Sequence, residues 1–286
     1  MGIFASLQQK FLSHVDVGAL TIDLDSTVIT RYGNQEGAKK GYNPKKMGRN
    51  SHHPLIAFIS QTKMVANAWM RSGNTSDLNN YDAFLSETFD VALKSKEIGL
   101  VRADSGFYSN RFLKWFENRE LNYIVAVKFY ENIKYQIGSV ERWLEITDGL
   151  DVCNLYFQPD NGEKRRYIIV RKKVDNYPNS GGKLLFDEPT YRYSAYVTNL
   201  KLPVDQIYNI YNSRADCENR IKELKYDFGA DNFCLKEFYA TEASFRFIMM
   251  AYNIMALFKH QVLNSNMQLK TLRAYCFLTE SASTRH

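Results

Sequence analysis

Four side chains suited to binding phosphate or metal recur at helical spacing in the segment YNSRADCENRIKELK. They are Tyr211, Arg214, Glu218 and Lys225, with successive offsets of three, four and seven residues. At about 100° per residue, these offsets bring all four within roughly a 60° arc of one helix face. An aromatic hydroxyl, a carboxylate and cations in one stripe predict a surface that clamps phosphate beside a metal ligand. Alternatively, Arg214 and Glu218 form an ordinary ion pair on a helix surface.

Two aspartates upstream belong to segments that are typical of strands. Asp25 lies in TIDLDST and Asp104 lies in LVRADSG. Asp23 would project from the same strand face as Asp25 and is the alternative first carboxylate. Two strand-borne aspartates and the helix-borne Glu218 are the set that two-metal phosphoryl transfer on nucleic acid requires. A second interpretation makes Asp104 the cap of the turn at Ser105-Gly106.

The elements that would position these groups follow a mixed α/β order. Apolar and β-branched runs predict strands, and helical periodicity with capping residues predicts helices. In chain order these are a strand at 19–30, strands at 54–60 and 64–71, a helix at 74–93, a strand at 98–103, a helix at 110–119 and a strand at 123–127. This order predicts an RNase H-like mixed sheet flanked by helices, in which carboxylates from distant parts of the chain gather at strand ends.

A β-rich segment is predicted between the second aspartate and the glutamate. Runs at 152–158 and 166–174 flank Pro159-Asp160-Asn161-Gly162, and Asn-Gly is a strong hairpin signal. A further β-rich run covers 191–199, and an apolar helix is predicted at 238–263. The resulting domain boundaries are a catalytic core at 19–128 and 201–263, a β-strand insertion at 129–200 and a tail at 264–286.

Composition indicates a packed protein with a basic surface. The chain has 286 residues, is 45% apolar, and carries 37 Lys and Arg against 31 acidic residues, a formal charge of +6. That excess suits a polyanionic partner without defining one. The four cysteines form no Cys-x-x-Cys pair, which predicts reduced thiols in a cytosolic protein. No apolar run approaches the ~18 residues of a transmembrane helix, so no membrane span is expected.

A Gly- and Lys-rich loop follows the first predicted strand. Its cations are Lys39, Lys40, Lys45, Lys46 and Arg49. With Tyr42, Asn43 and two glycines among them, the loop suits contact with a DNA backbone, and the alternative is a solvated loop. His52-His53 is not expected to bind metal, because adjacent side chains on an extended chain point apart. Trp143, in the predicted insertion, could stack on a displaced base or could serve packing.

Taken together, these motifs resemble the DDE transposases of bacterial insertion sequences. The resemblance is to the group with the signature Tyr, two residues, Arg, three residues, Glu, six residues, Lys, which Tyr211, Arg214, Glu218 and Lys225 match without a gap. It extends over about 21–259 and takes in LDSTV, GNQEGAKKGYNPKK, VANAW, SGNTS and RADSGF. A β-strand insertion before the glutamate also belongs to that group's pattern.

The resemblance implies a role for each motif residue. Asp25, Asp104 and Glu218 would be the catalytic residues and the ligands of Mg²⁺, with Mn²⁺ as a substitute. Tyr211, Arg214 and Lys225 would contact DNA phosphates near the cleaved end. The implied partners are double-stranded DNA, as transposon ends and target, and a second copy in a homodimer. The implied location is the bacterial cytoplasm, in association with the nucleoid.

The function expected from this resemblance is Mg²⁺-dependent strand cleavage and strand transfer at the ends of an insertion sequence. Relatives carry a segment before the first aspartate that binds the transposon end, and here 24 residues precede Asp25. Two alternatives remain open, the first of them because this segment is short. One is a truncated, catalytically inactive remnant that binds DNA or regulates transposition. The other is a metal-dependent nuclease of the same fold.

Overall fold

The chain divides into two compact units. The computed structural model describes residues 3–159, 162–174, 190–233, 235–263, 267–272 and 274–275. Met1–Val101 and Arg214–His286 form the first unit, and Arg102–Ser213 form the second. The predicted tail residues SASTRH, and Cys234 and Cys276, lie outside the described residues. The boundaries of the catalytic core and the insertion stay a prediction.

The first unit is built on a sheet with the strand order β6-β5-β1-β7. Its strands are β1 (Leu20–Ser26), β5 (Leu55–Ile59), β6 (Val65–Trp69) and β7 (Ile98–Ala103), the last two residues of β7 belonging to the second unit. β1 pairs antiparallel with β5, and β5 pairs antiparallel with β6. Every residue of β5 is buried, which explains why its sequence LIAFI is continuously apolar, whereas the mostly buried β1 also carries Asp23 and Asp25.

Helices cover this sheet. They are α1 (Ile3–Ser13), α2 (Tyr81–Ser86) with a π-helical turn at Glu87–Ala92, α6 (Ala215–Tyr226), and α7 (Phe238–Phe258) with a π-helical turn at Lys259–Leu263. The buried Asn253 of α7 holds β6 through its side chain. Its Oδ1 accepts the Val65 N–H at 2.7 Å, and its Nδ2 donates to Val65 O and to Gln8 Oε1 at 2.8 Å. Such bonds satisfy backbone groups of the terminal strand that would otherwise lack partners.

A small second sheet in the first unit carries the loop after β1. Its strands are β2 (Ile29–Thr30), β3 (Lys39–Lys40) and β4 (Asn50–His52), in the order β2-β4-β3. The sequence predicted one strand over 19–30, but β1 ends at Ser26 and the chain enters this other sheet. Strands of two or three residues show no period, so the sequence pattern predicted only a loop here.

The second unit contains five strands in the order β8-β12-β11-β10-β9, all paired antiparallel. They are β8 (Tyr123–Ala126), β9 (Leu144–Thr147), β10 (Leu150–Phe157), β11 (Arg165–Val174) and β12 (Thr190–Thr198). The predicted hairpin is confirmed by the β10–β11 register, which runs from Leu150↔Lys172 to Phe157↔Arg165. Asp160 and Asn161 of its turn lie outside the described residues. The helices are α3 (Asn110–Glu117), α4 (Glu131–Gly138) and α5 (Val204–Asn212).

The mixed α/β class predicted from the sequence is confirmed, and the helix-flanked sheet is consistent with an RNase H-like fold. The predicted strands at 54–60, 64–71, 98–103 and 123–127 and the helix at 110–119 are observed within a few residues. The helix predicted from residue 74 begins at Tyr81, and Thr75, Ser76 and Asp77 lie before it. Helices α1 and α4 were not predicted.

The single helix predicted through Tyr211 and Lys225 is wrong, because two helices meet at Ser213-Arg214. Tyr211 lies in α5 of the second unit, and α6 begins at Ala215 in the first. A continuous helix would offer the Ile210 carbonyl to the residue 214 N–H. Here that carbonyl accepts hydrogen bonds from Arg102 Nη1 and from Ser213 Oγ instead. Arg102, buried and distant in sequence, supplies a competing donor that no local pattern reveals.

Candidate active site

The end of β1 carries two buried carboxylates. Asp23 and Asp25 are 3% and 8% exposed. Ion pairing offsets part of the cost of burying the Asp25 charge, since Arg214 Nη2 lies 3.2 Å from its Oδ2. Asp25 Oδ1 also accepts the backbone N–H of Ser26 at 2.8 Å. The Asp25 carboxylate is therefore oriented by defined partners at the point where β1 ends.

Two cations of the signature bind helix α6 and its N-cap to the segment that contains Asp25. Arg214, the N-cap residue of α6, donates to Leu24 O at 2.7 Å and is itself 7% exposed. Lys225, in the last turn, donates from Nζ to Val28 O at 2.8 Å. The two carbonyls precede and follow Asp25 in the chain. Together these bonds fix the distance between the strand end and α6.

Burial and neighbouring charges act together on Lys225. The pKa of its ammonium group lies below the usual value, chiefly because burial disfavours the charge. Lys45 of the loop lowers this pKa further, while Asp231 and Asp25 oppose the shift. Lys225 therefore lies within the electrostatic field of both Asp25 and the cationic loop.

Helix α6 also carries a buried thiol and an exposed carboxylate. Cys217 is buried, and burial with the neighbouring Asp25 raises the pKa of its thiol well above the usual value. Cys217 is therefore an uncharged neighbour of Asp25. Glu218 is in the first turn of α6 and is exposed. In contrast to Asp25, its carboxylate is open to solvent and to a ligand.

Sequence reasoning missed a histidine that supports this region. His53 is 5% exposed, and its Nε2 lies 3.0 Å from Ser26 Oγ while its Nδ1 lies 2.8 Å from Thr75 O. With Nδ1–H donated to the carbonyl, Nε2 accepts the Ser26 hydroxyl. His52 turns to other partners, because its Nδ1 accepts Arg31 Nε at 3.1 Å and its Nε2 donates to Glu36 O at 2.9 Å. The nearby sequence gives no signal for the His53–Ser26 contact.

Two predicted site residues, Asp104 and Tyr211, belong to the second unit. Asp104 follows β7 and caps the 3₁₀ turn Ser105–Phe107, accepting the Gly106 N–H at 2.9 Å. The capping interpretation of Asp104 is thus confirmed, and its proposed catalytic role stays a prediction. Tyr211 donates its hydroxyl to Ala103 O at 3.2 Å, and its ring centroid lies 4.2 Å from that of Tyr196.

Trp143 packs inside the second unit. The Arg171 guanidinium lies 4.3 Å from its ring centroid, and the Tyr193 ring lies 6.2 Å away. Arg171 is also paired with Asp151 at 2.6 Å. These contacts favour the packing alternative for Trp143 over base stacking.

The basic loop, residues 39–49, presents all its cations to solvent. Lys39, Lys40, Lys45, Lys46 and Arg49 are exposed. The backbone that holds them is fixed, because Lys39 and Lys40 pair with Ser51 and Asn50 of β4. Gly41 packs so closely on Gly73 that an added Cβ would lie 1.9 Å from Gly73 O. Five cations on a fixed backbone suit a phosphate-lined partner.

Among the described residues, no three His, Cys, Asp or Glu side chains lie close enough together to hold a metal ion. The donors themselves have suitable chemistry, because carboxylate oxygens are the ligands that Mg²⁺ prefers. The buried Asp25 carboxylate needs a positive charge beside it, which Arg214 supplies. Because a metal ion would supply positive charge in the same way, Asp25 fits the role of a metal ligand. The exposed Glu218 is accessible for the same role. No helix in the described part of the chain is long and apolar enough to cross a membrane.

Comparison with solved structures finds a chain with a similar fold. The chain is similar to a chain of the piggyBac transposase, solved by cryo-electron microscopy as a synaptic complex with hairpin DNA. The TM-score is 0.55 at 12% identity over 91% of this chain, which supports the fold alone. Our chain spans about half of that one, 52% of its length. Comparison with curated proteins finds no significant relative.

The family is shown by the sequence. The family model described as "Transposase DDE domain group 1" matches residues 3–278. The chain therefore belongs to the DDE transposase domain family.

Proposed function

We propose that this chain is the catalytic domain of a transposase that cleaves DNA at the ends of an insertion sequence and joins them to target DNA. Membership of the DDE family supports a DNA-cleaving and DNA-joining enzyme. The observation that supports specific residues for this function is the buried Asp25 at the end of β1, which is paired with Arg214. A buried carboxylate beside a cation is costly for stability and typical of a functional site.

Asp25, Asp104 and Glu218 are the proposed catalytic carboxylates and the ligands of Mg²⁺, for which Mn²⁺ would substitute. A divalent ion bound there would activate the attacking oxygen and stabilise the leaving oxygen in an in-line displacement. Asp23 is the alternative to Asp25 on the same strand, and is also buried. Asp25 is the better candidate because its carboxylate faces Arg214 at the start of α6.

The signature cations are proposed to act in two ways. Through their bonds to Leu24 O and Val28 O, Arg214 and Lys225 hold α6 against the end of β1. This would keep the Asp25 and Glu218 carboxylates in fixed positions before DNA binds, so that less conformational entropy is lost when the reactive geometry forms. An ammonium group has three donors, so contact of Lys225 with a DNA phosphate is compatible with its bond to Val28 O, whereas Arg214, 7% exposed, would have to become more exposed in the DNA complex to contact a phosphate. Tyr211 is proposed as a third phosphate contact.

Double-stranded DNA is the proposed partner, both as transposon ends and as target. The five exposed cations of the basic loop support it, because a polyanion would gain most from this surface. Three further proposals follow from the resemblance to the DDE transposases of bacterial insertion sequences. The chain acts as a homodimer that brings two ends together, and it is located in the bacterial cytoplasm in association with the nucleoid. It belongs to the group with the Tyr-Arg-Glu-Lys signature.

The test is cleavage and joining of DNA that carries the element's own terminal repeats, with Mg²⁺ or Mn²⁺. Glu218→Gln should lower the cleavage rate at least about 100-fold, as loss of a group acting on the reaction centre does. Because Glu218 is exposed, this variant should unfold at the wild-type urea concentration. The matched control is Glu237→Gln, which removes an exposed carboxylate that makes no capping hydrogen bond at the start of α7.

Each result separates the alternatives. Cleavage and joining in the wild type and in Glu237→Gln, but not in Glu218→Gln, support the transposase. Cleavage without joined products would favour a nuclease of the same fold. DNA binding without any metal-dependent cleavage by the folded wild type would favour a regulatory remnant.

A further inference from the structure

An exposed methionine stands at the tip of a turn in the basic loop. In this turn, Lys46–Arg49, the Arg49 N–H donates to Lys46 O at 3.2 Å, and Gly48 in the third position has a φ of 74°. Positive φ at Gly48 without positive φ at Met47 is typical of a type II turn. Met47, in the second position, is 88% exposed, the highest value for a large hydrophobic side chain in the described part of the chain.

The turn is anchored before its tip. Asn43, only 5% exposed, accepts the Lys46 N–H at 3.0 Å and donates to Thr30 Oγ1 of β2 at 3.0 Å. After the turn, the chain enters β4 at Asn50. The backbone on both sides of Met47 is thus bound to the small sheet, so a ligand that meets this tip has little backbone left to order.

Charge surrounds this apolar tip. Lys46 and Arg49 occupy the first and last positions of the turn, and Met47 lines a cavity of about 340 Å³ together with Lys40, Arg49 and Tyr32. The Arg49 guanidinium lies 5.8 Å from the centroid of the Tyr32 ring. Met, Tyr and Arg are enriched at protein interfaces but lysine is depleted there, so the neighbouring Lys40, Lys45 and Lys46 favour a polyanion over a protein as the partner. Cations beside a projecting apolar side chain are what proteins use to hold and kink a DNA duplex.

We propose that Met47 is a wedge that enters between two base pairs of the bound duplex and unstacks them. This inference rests on the proposed function, in which duplex DNA is the substrate. Lys45, Lys46 and Arg49 would hold the phosphates on either side, and the fixed turn would drive the thioether between the bases. Pyrimidine–purine steps unstack most easily, so the wedge would favour TpA, CpA and TpG steps. Preference for deformable DNA would then arise without any base-specific hydrogen bond.

The experiment uses the full chain and a duplex of about 30 base pairs with several TpA steps. In each duplex of a set, one TpA adenine is replaced by 2-aminopurine, whose fluorescence rises when it is unstacked. Binding is followed separately through the anisotropy of a dye at the duplex end. The wild type at saturation should raise the 2-aminopurine signal at one or more TpA steps. Met47→Gln, of similar size without the apolar end, should lose most of that rise while its affinity changes by no more than about tenfold.

Two control variants test whether the Met47 side chain causes the rise in 2-aminopurine fluorescence. Ile254→Gln removes a 51% exposed apolar side chain from α7 of the same unit and should behave as the wild type. Lys46→Gln should weaken binding but keep the fluorescence rise at saturation. Wild-type binding without a rise at any labelled step, or an equal rise with Met47→Gln, would overturn the wedge and leave the transposase proposal standing. Failure of the folded wild type to bind duplex DNA would overturn both.

Discussion

The end of β1 and the basic loop belong to the same unit but handle charge in opposite ways. Asp25 and Arg214 are both less than a tenth exposed and are paired at 3.2 Å. Lys45 and Lys46 are exposed, and the tip between Lys46 and Arg49 carries an apolar side chain. A buried charge has to be paired to be tolerated, whereas an exposed charge remains available to a partner. The first region therefore suits the chemistry proposed for Asp25, and the second suits the proposed binding of DNA.

The two regions also fix their backbones differently. At the end of β1, side-chain cations bind the carbonyls of Leu24 and Val28. In the loop, a close Gly41–Gly73 contact and the side-chain amide of Asn43 hold the backbone. The charged side chains of the loop are therefore not needed to hold the backbone and stay exposed. Mutations should therefore separate stability from DNA binding according to region.

The largest effect should come from breaking the buried pair. Arg214→Met leaves Asp25 buried without its cation and removes the bond to Leu24 O, so the free energy of unfolding should fall by about 3–5 kcal/mol. Urea denaturation measures it. Arg246→Met is the matched control, because Arg246 on α7 is a more exposed arginine paired with Glu242. A loss below about 1 kcal/mol for Arg214→Met would show that burial of this pair does not distinguish the two regions.

A smaller effect on the free energy of unfolding should depend on pH and should come from His52 of β4, the strand that supports the basic loop. Burial lowers the pKa of His52, and the charge of Arg31 lowers it further, against the hydrogen bond to Glu36 O. The folded state therefore binds fewer protons than the unfolded state just below the unfolded value of about 6.5. Stability should be complete above that pH and should fall as the pH drops toward the folded pKa, by at most about 1.4 kcal/mol per pH unit.

Urea unfolding at neutral pH and near pH 5.5 checks this, with His52→Gln and His14→Gln compared with the wild type. His14 is exposed and serves as the comparison histidine. His52→Gln should be less stable at neutral pH but should show a shallower loss on acidification. An identical slope in all three proteins would contradict a neutral, buried His52.

The smallest effect on the fold should come from the loop cations. Lys45→Gln and Lys46→Gln should leave the urea midpoint unchanged and weaken binding to every duplex alike. Each should also reduce the slope of log affinity against log salt by about 1. Anisotropy titrations at several salt concentrations measure this, with the exposed Lys94→Gln as control. Unchanged salt slopes would show that the basic loop is a solvated loop that does not contact DNA phosphates.

The sequence revealed the elements whose pattern is local. Continuous apolar runs marked β5, β6 and β7, and the Asn-Gly turn signal marked the β10–β11 hairpin. It also indicated Asp25, Asp104 and Glu218 as candidates. The division of the signature between α5 and α6 could not be predicted, because it depends on Arg102, over a hundred residues away, which binds the Ile210 carbonyl. The support that His53 gives to Ser26 is likewise a tertiary contact.

The burial of Arg214 has the same origin. Offsets of three, four and seven residues placed it beside Glu218 on an exposed stripe, yet it is buried against Leu24 O and Asp25. Helical spacing shows which side chains share a face, but tertiary packing decides which of them reach solvent. Only the exposed Glu218 matches the expected accessibility.

Single-turnover cleavage of terminal-repeat DNA by Asp25→Asn most directly tests the proposal that Asp25 is a catalytic carboxylate of a transposase. Asp23→Asn and the exposed Asp16→Asn are measured beside it, and circular dichroism confirms that each variant is folded. We predict that folded Asp25→Asn loses at least about 100-fold in cleavage rate, while Asp16→Asn cleaves as the wild type does. Wild-type cleavage by Asp25→Asn, or loss confined to Asp23→Asn, would contradict the account.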